Sequence, residues 1–170
     1  MNPMRKIHIE KVTLNIGAGK DVARLEKGVK LIKHITGIEP FKTSTNKRIQ
    51  QWGLRPGLPI GVKVTLRGKK GADLLKKLLG AVDHIVKESS FDRQGNVAFG
   101  VPEYIDITDV KYTPELGIMG LEVAVTVSRP GYRVKSRRLN SRVGKAHQIT
   151  KQESIEYFKK EFAIKIGEEA

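Results

Sequence analysis

Leu121, Val123, Val125 and Val127 alternate with Glu122, Ala124, Thr126 and Ser128, the clearest period-two run in the chain. Such alternation puts apolar side chains on one face of a strand and polar ones on the other. Val62, Val64 and Leu66 repeat it between Lys63, Thr65 and Arg67. Val12, Leu14 and Ile16 do so again, out of phase with Ile7 and Ile9, and the phase change at Glu10-Lys11 predicts a bulge or bend. Val97, Phe99 and Val101 follow the turn Asp92-Arg93-Gln94-Gly95-Asn96 and add a further strand.

Helical spacing separates these runs. Val22, Leu25, Val29 and Ile32 recur between Asp21, a candidate N-cap, and the stop at Thr36-Gly37. Leu74, Leu75, Leu78, Leu79, Val82, Ile85 and Val86 predict a second helix with a broad apolar stripe. Thr150-Lys151-Gln152-Glu153 has capping-box spacing, and Ile155, Phe158 and Phe162 then predict a short helix at about 151–163. Phe41 to Leu58 has no clear period and reads as an extended, exposed segment with a loop. The order strand–helix–strand–helix–strands–helix argues for an α+β fold. Its mainly antiparallel sheet of about five strands packs against helices, with basic loop extensions. The expectation is one domain over 1–170, with a basic loop segment at 40–61 and a basic extension at 129–149.

Charge is distributed unevenly. The chain of 170 residues has 32 Lys and Arg against 18 Asp and Glu, a net charge of +14. No acid falls between Pro40 and Ala72, where Lys42, Lys47, Arg48, Arg55, Lys63, Arg67, Lys69 and Lys70 lie. None falls between Val123 and Gln152 either, where Arg129, Arg133, Lys135, Arg137, Arg138, Arg142, Lys145 and Lys151 lie. The rest of the chain is slightly acidic. Two acid-free windows in a balanced background fit a polyanion footprint better than a merely solvated surface.

Other chemistries are poorly supplied. Cysteine is absent, which excludes disulfides, cysteine-based zinc and iron–sulfur sites, and thiol nucleophiles. No apolar run approaches the ~20 residues of a membrane span, and the first residues show no signal-peptide core, so a soluble, intracellular protein is expected. Gly17-Ala18-Gly19-Lys20-Asp21 lacks the distal glycine and the hydroxyl of a phosphate-binding loop and reads as a strand-to-helix turn. His8, His34, His84 and His147 stand apart, in no metal-ligand pairing, although His147 could donate to a phosphate. No catalytic residue, metal or cofactor is expected. A nucleotide-dependent enzyme built on the Gly17–Lys20 turn is the alternative from another class, and a general DNA-binding protein is a second.

RNA is favoured over DNA. The helices carry mixed charge, while dense basicity lies in loops and strands, which suits shape-led RNA binding better than a helix in a major groove. Lys42, Thr43, Lys47 and Arg48 mix cations with hydroxyls, the inventory for phosphates and 2′-hydroxyls. Lys63, Thr65 and Arg67 share one strand face. Arg133, Lys135, Arg137, Arg138, Arg142 and Lys145 suit an extension that penetrates RNA. Trp52, the lone tryptophan, is either a core anchor or a stacking platform.

Ile9-Glu10-Lys11-Val12-Thr13-Leu14-Asn15-Ile16-Gly17-Ala18-Gly19 resembles the opening strand and glycine turn of the universal large-subunit ribosomal protein family that binds 5S ribosomal RNA. Pro59-Ile60-Gly61-Val62-Lys63-Val64-Thr65-Leu66-Arg67-Gly68, Ser90 to Asn96 with Phe99-Gly100-Val101, and Gly120-Leu121-Glu122-Val123 match further blocks in family order. The bacterial members' extra N-terminal helix is missing. Arg129-Pro130-Gly131-Tyr132 and Gly144-Lys145-Ala146-His147 look like the archaeal and eukaryotic branch, and compactness favours the archaeal.

The resemblance implies a cytoplasmic ribosomal protein that contacts 5S rRNA and large-subunit rRNA in the central protuberance, beside neighbouring protuberance proteins. Asn15 and Thr65 match family positions that hydrogen-bond to RNA, with Lys11 and Thr13 beside Asn15 as further candidates. Ile38 stands where the family often has a contacting glutamine. Trp52, Gly53, Arg55 and Gly57 lie in a loop that resembles one reaching toward P-site tRNA. Thr113, Glu115 and Met119 lie near where the family bridges to a small-subunit head protein.

Overall fold

The computed structural model describes residues 2–139 and 141–167. Its main sheet has five strands: β1 (His8–Gly17), β2 (Phe41–Ser44), β3 (Pro59–Leu66), β5 (Val97–Val101) and β6 (Leu121–Ser128). They are ordered β2-β3-β1-β6-β5 and every neighbouring pair is antiparallel. The register between β1 and β6 shifts between Ile9 and Lys11, so the phase change in the sequence is a bulge at Glu10. Two further short strands, β4 (Ile85–Lys87) and β7 (Lys165–Gly167), pair in parallel as a separate ribbon.

Helix α1 (Val22–Thr36) starts where the Asp21 carboxylate accepts from the backbone of Ala23 and Arg24 at 2.9 and 3.2 Å. It stops where Gly37 takes φ 69° and returns its N–H to the Lys33 carbonyl. Val22 begins the helical spacing but lies exposed, and Leu25, Gly28, Leu31 and Ile32 form the buried stripe. Gly28 packs directly over Ile16 and Val62, and a Cβ there would stand 3.5 Å from Ile16 Cγ2, in ordinary van der Waals contact. Helix α2 (Gly68–Gly80) buries Leu74, Leu75, Leu78 and Leu79.

The expectation that this helix continues through Val82, Ile85 and Val86 is corrected. After Gly80 the chain turns through Asp83 and His84, both at positive φ, and Ile85–Lys87 becomes β4. Pairing with β7 supplies these backbone groups with partners that another helical turn would have supplied locally. The segment after Pro40 is likewise more regular than expected, because Phe41–Ser44 pairs with β3 as an edge strand.

Helix α3 (Lys151–Phe162) opens with the capping box, Thr150 and Glu153 each accepting from the other's backbone N–H. Its Phe158 ring meets Phe91 edge-on at 5.8 Å between centroids and is 1% exposed. One apolar cluster runs from Val12 through Leu78, Tyr104 and Val125 to Ile164, so all three helices share the core on one face of the sheet. The other face is left to solvent.

Candidate nucleic-acid interface

Side chains that alternate with Val12, Leu14, Ile16, Val62, Val64 and Leu66 must point away from that core. The strand register aligns them in rows. Phe41 lies opposite Lys63, Lys63 opposite Asn15, Asn15 opposite Glu122, and Glu122 opposite Gly100. The next row holds Thr65, Thr13, Ala124 and Ala98, and beyond it Lys11 faces Thr126. The Thr13 and Thr65 hydroxyls stand 3.5 Å apart. Thr43 joins the face at its edge, paired with Gly61. A Cβ on Gly61 would come within 3.0 Å of both Thr43 Oγ1 and the Ile16 carbonyl, so the strands can lie together here only around glycine. Small residues at Gly61, Ala98, Gly100 and Ala124 keep the face shallow.

Lys11, Thr13, Asn15, Thr43, Lys63 and Thr65 are therefore brought together on one face. Lys42 is not. Its register partner is Val62, which assigns it to the opposite side of the sheet, at the exposed edge.

The basic extension starts where β6 ends, and three of the cations in its window are engaged within the protein, Arg129 and Lys151 closely and Lys135 more loosely. Arg129 is 5% exposed; its guanidinium donates to Glu153 at 2.8 Å and to the His147 and Gln148 carbonyls at 3.3 Å each. Lys151 pairs with Glu88 at 2.9 Å. The backbone N–H of Thr150 and then Arg129 hold the Glu153 carboxyl below its ordinary range, against the opposing effect of burial. Tyr132 donates to the His147 carbonyl and accepts from the Ile149 N–H, and burial raises its phenol above the ordinary value. His147 Nε2 lies 2.9 Å from the Pro130 carbonyl, which can only accept, so that nitrogen carries its proton inward rather than toward a phosphate.

Arg133, Lys135, Arg137, Arg138, Arg142 and Lys145 are all exposed. Lys135 lies over the Tyr132 ring at 5.5 Å and reaches Glu10 at 3.9 Å. Arg67 reaches the same carboxylate at 3.4 Å from the other side. The bulged Glu10 thus ties the extension to the end of the sheet. A groove of about 610 Å³, lined by His8, Glu10, Arg67, Tyr132, Arg133 and Lys135 among others, runs between them.

The loop between β2 and β3 turns back at a bridge between Ile49 and Leu54, and Leu54 is buried. Trp52 stands at the tip of that turn and is 64% exposed, which overturns the reading of it as a core anchor. Gly53 and Gly57 both have positive φ, and Lys47, Arg48 and Arg55 are exposed around them.

In the segment before β6, Glu115 pairs with Lys30 of α1 and the Thr113 N–H donates to the Tyr104 hydroxyl. Met119 is corrected as a surface residue: its side chain is 5% exposed and belongs to the core. Its neighbour Ile118 is 70% exposed. Ile38 is exposed just past the α1 cap. Sequence reasoning missed Glu122, Phe41 and Glu10. Glu122 was legible from its parity with Thr126; Phe41 needed the register of β2, and Glu10 the placement of Arg67 and Lys135 around the bulge.

Comparison with known proteins places the chain in a family. Residues 2–55 match the family model described as "Ribosomal protein L5", and residues 59–157 match the model of the same ribosomal family's C-terminus. The large ribosomal subunit protein uL5 of Nanoarchaeum equitans is 54% identical over 167 residues, covering 97% of this chain and 98% of that protein. The uL5 proteins of Sulfurisphaera tokodaii and Methanosphaera stadtmanae are 47% and 41% identical, covering 99% and 98% of this chain and 96% and 99% of their own lengths. With two family models lying end to end along it and archaeal relatives aligned over nearly all of it, the chain belongs to the ribosomal protein L5 family, in its archaeal type.

Proposed function

We propose that the chain binds 5S rRNA with the open face of its sheet and so helps to build the central protuberance of the large ribosomal subunit. Membership of the family makes it a structural constituent of that subunit, an rRNA-binding protein of translation rather than an enzyme. The observation that carries the 5S reading is the shallow face of Lys11, Thr13, Asn15, Lys63 and Thr65, bordered at one end by the exposed cations of the extension. Hydroxyls and an amide at its centre suit 2′-hydroxyls and base edges. The cations at its border suit phosphates, where binding releases counterions.

Large-subunit rRNA is assigned to Arg137, Arg138, Arg142 and Lys145, which form no ion pair among the described residues. Trp52 and Arg55, held out on their own turn, are assigned to the P-site tRNA, the indole offering a surface for a base or sugar to stack on. Thr113 and Glu115, with exposed Ile118 beside them, are assigned to a small-subunit head protein. The neighbouring proteins of the protuberance complete its partners.

The test is a titration of purified protein against 5S rRNA at two salt concentrations, with transfer RNA and duplex DNA as competitors. Binding to 5S rRNA should survive both competitors and the higher salt; equal, salt-sensitive affinity for all three would defeat the reading. Asn15→Ala should weaken 5S binding by about 1–2 kcal/mol and leave unrelated RNA unaffected. Replacing Arg137 and Arg138 with alanine should weaken binding to every RNA and flatten the salt slope by about 1–2, near one unit per lost phosphate contact. An unchanged slope would remove these two residues from the phosphate interface.

A further inference from the structure

An acid stands in the middle of this face, and a surface that only attracted phosphate would not keep one there. Glu122 lies in the row Phe41, Lys63, Asn15, Glu122, on four adjacent strands, and its Oε2 accepts from Asn15 Nδ2 at 3.0 Å. A carboxylate can only accept, so the contact fixes which end of the Asn15 amide faces it. Asn15 Oδ1 is turned away and has no hydrogen-bond partner among the described residues. The pair therefore offers two acceptors, Asn15 Oδ1 and Glu122 Oε1, side by side on a shallow surface. Phosphate oxygens, acceptors themselves and negatively charged, are rejected there; hydroxyl and amine hydrogens are not.

Phe41 supplies the second element. It is 69% exposed on the same face, two strands from Asn15, with Lys63 between them. Neighbouring strands are ~4.8 Å apart, so the ring lies about 10 Å from the amide, within reach of one nucleotide or of two in succession. An exposed ring on an otherwise hydrophilic sheet gives an unpaired base a flat surface.

The geometry points to a nucleotide-reading site in this row: Asn15 and Glu122 accept from the base amine, imino or 2′-hydroxyl hydrogens of an unpaired nucleotide, and Phe41 stacks against a base. This deepens the RNA reading above and rests on it. Phosphates are then held beside the site by Lys63 and at the border by Lys11, Arg67 and the extension. Selectivity for a particular RNA comes from the acid at the centre as much as from the cations around it.

Affinities for 5S rRNA and for transfer RNA, measured on wild type, Glu122→Gln and Phe41→Ala, test the site. Removing a negative charge from a basic surface should tighten binding to any polyanion that does not use the acid. Glu122→Gln is therefore expected to separate the two affinities. It should weaken 5S binding about tenfold, the scale of a charge-assisted hydrogen bond, and leave transfer RNA binding equal or tighter. Phe41→Ala should weaken 5S binding severalfold with the salt slope unchanged, because stacking releases no counterions. Both side chains are exposed, and unchanged thermal midpoints will show that the fold is intact. If wild type prefers 5S rRNA and Glu122→Gln tightens or leaves unchanged its binding to both RNAs, the acceptor site is wrong and the 5S reading stands. If Phe41→Ala leaves 5S affinity unchanged, the stacking element is wrong. A wild type with no preference for 5S rRNA overturns both readings together.

Discussion

Glu153→Ala is expected to cost about 2–4 kcal/mol of folding stability, visible as a fall in thermal midpoint of roughly 5–15 °C for a chain of this size. The change removes two things at once. The capping box at the start of α3 loses its acidic half, and Arg129, 5% exposed, loses the carboxylate that neutralises it. A buried guanidinium without an anion is far more costly than an exposed one, because water cannot replace the partner. The Glu153 carboxylate is itself partly exposed, which keeps the cost below that of a fully buried pair.

The same carboxylate sets an acid limit. Its folded pKa lies below the ordinary 4.5, so its contribution is complete above that value and is lost as the pH falls through the lower folded value. Denaturant midpoints taken downward from pH 5 should therefore fall more steeply for wild type than for Glu153→Gln. Parallel pH profiles would show that the pair contributes nothing to this dependence.

Phe158→Ala should be at least as damaging, about 3–5 kcal/mol, through the lost transfer energy and the cavity left behind. Its ring touches Phe91 and Tyr157 edge-on and lies against Phe162, so the site is walled by aromatic groups that cannot easily collapse inward. The loss should be independent of pH between 3 and 7, which separates it from the Glu153 effect. Both variants loosen α3, and α3 holds the chain of contacts through Arg129, His147 and Tyr132 on which the extension rests. Each should therefore also weaken RNA binding, although neither residue faces RNA. A Phe158→Ala protein as stable as wild type would mean that α3 is not part of the cooperative core.

Much of this arrangement is legible in the sequence because it follows from local periodicity. The strict alternation around Val123 and Val64 fixes which side chains share the open face, and the phase change at Glu10-Lys11 marks the bulge. Asp21, Gly37 and the Thr150–Glu153 pair mark helix ends by side-chain or backbone hydrogen bonds that involve only near neighbours. What escapes is decided by distant partners. Ile85 and Val86 continue a helical stripe, and only Lys165–Gly167 draws them into a strand. Phe41–Ser44 is too short to show a period and is a strand because β3 lies beside it. Arg129 sits among cations in the sequence but belongs to the interior because Glu153 reaches it from α3. The family resemblance carries the assignment of RNA partners, and Met119, itself expected as an inter-subunit contact, is turned into the core by packing that no local pattern records.

The strand order β2-β3-β1-β6-β5 also dictates when the chain can finish folding. β1 is made first, and β3 can join one of its edges early. Its other edge waits for β6, whose Glu122 lies 107 residues beyond Asn15. Until then a nascent chain presents an unpaired central strand backed by apolar side chains, the kind of edge to which another chain can add. Closing it is a non-local step with a large loop-entropy cost, so refolding should be slow for a protein of this length. Newly made copies should be most vulnerable to aggregation in the interval before residues 121–128 emerge. An RNA that covers the completed sheet can act only after that interval has passed.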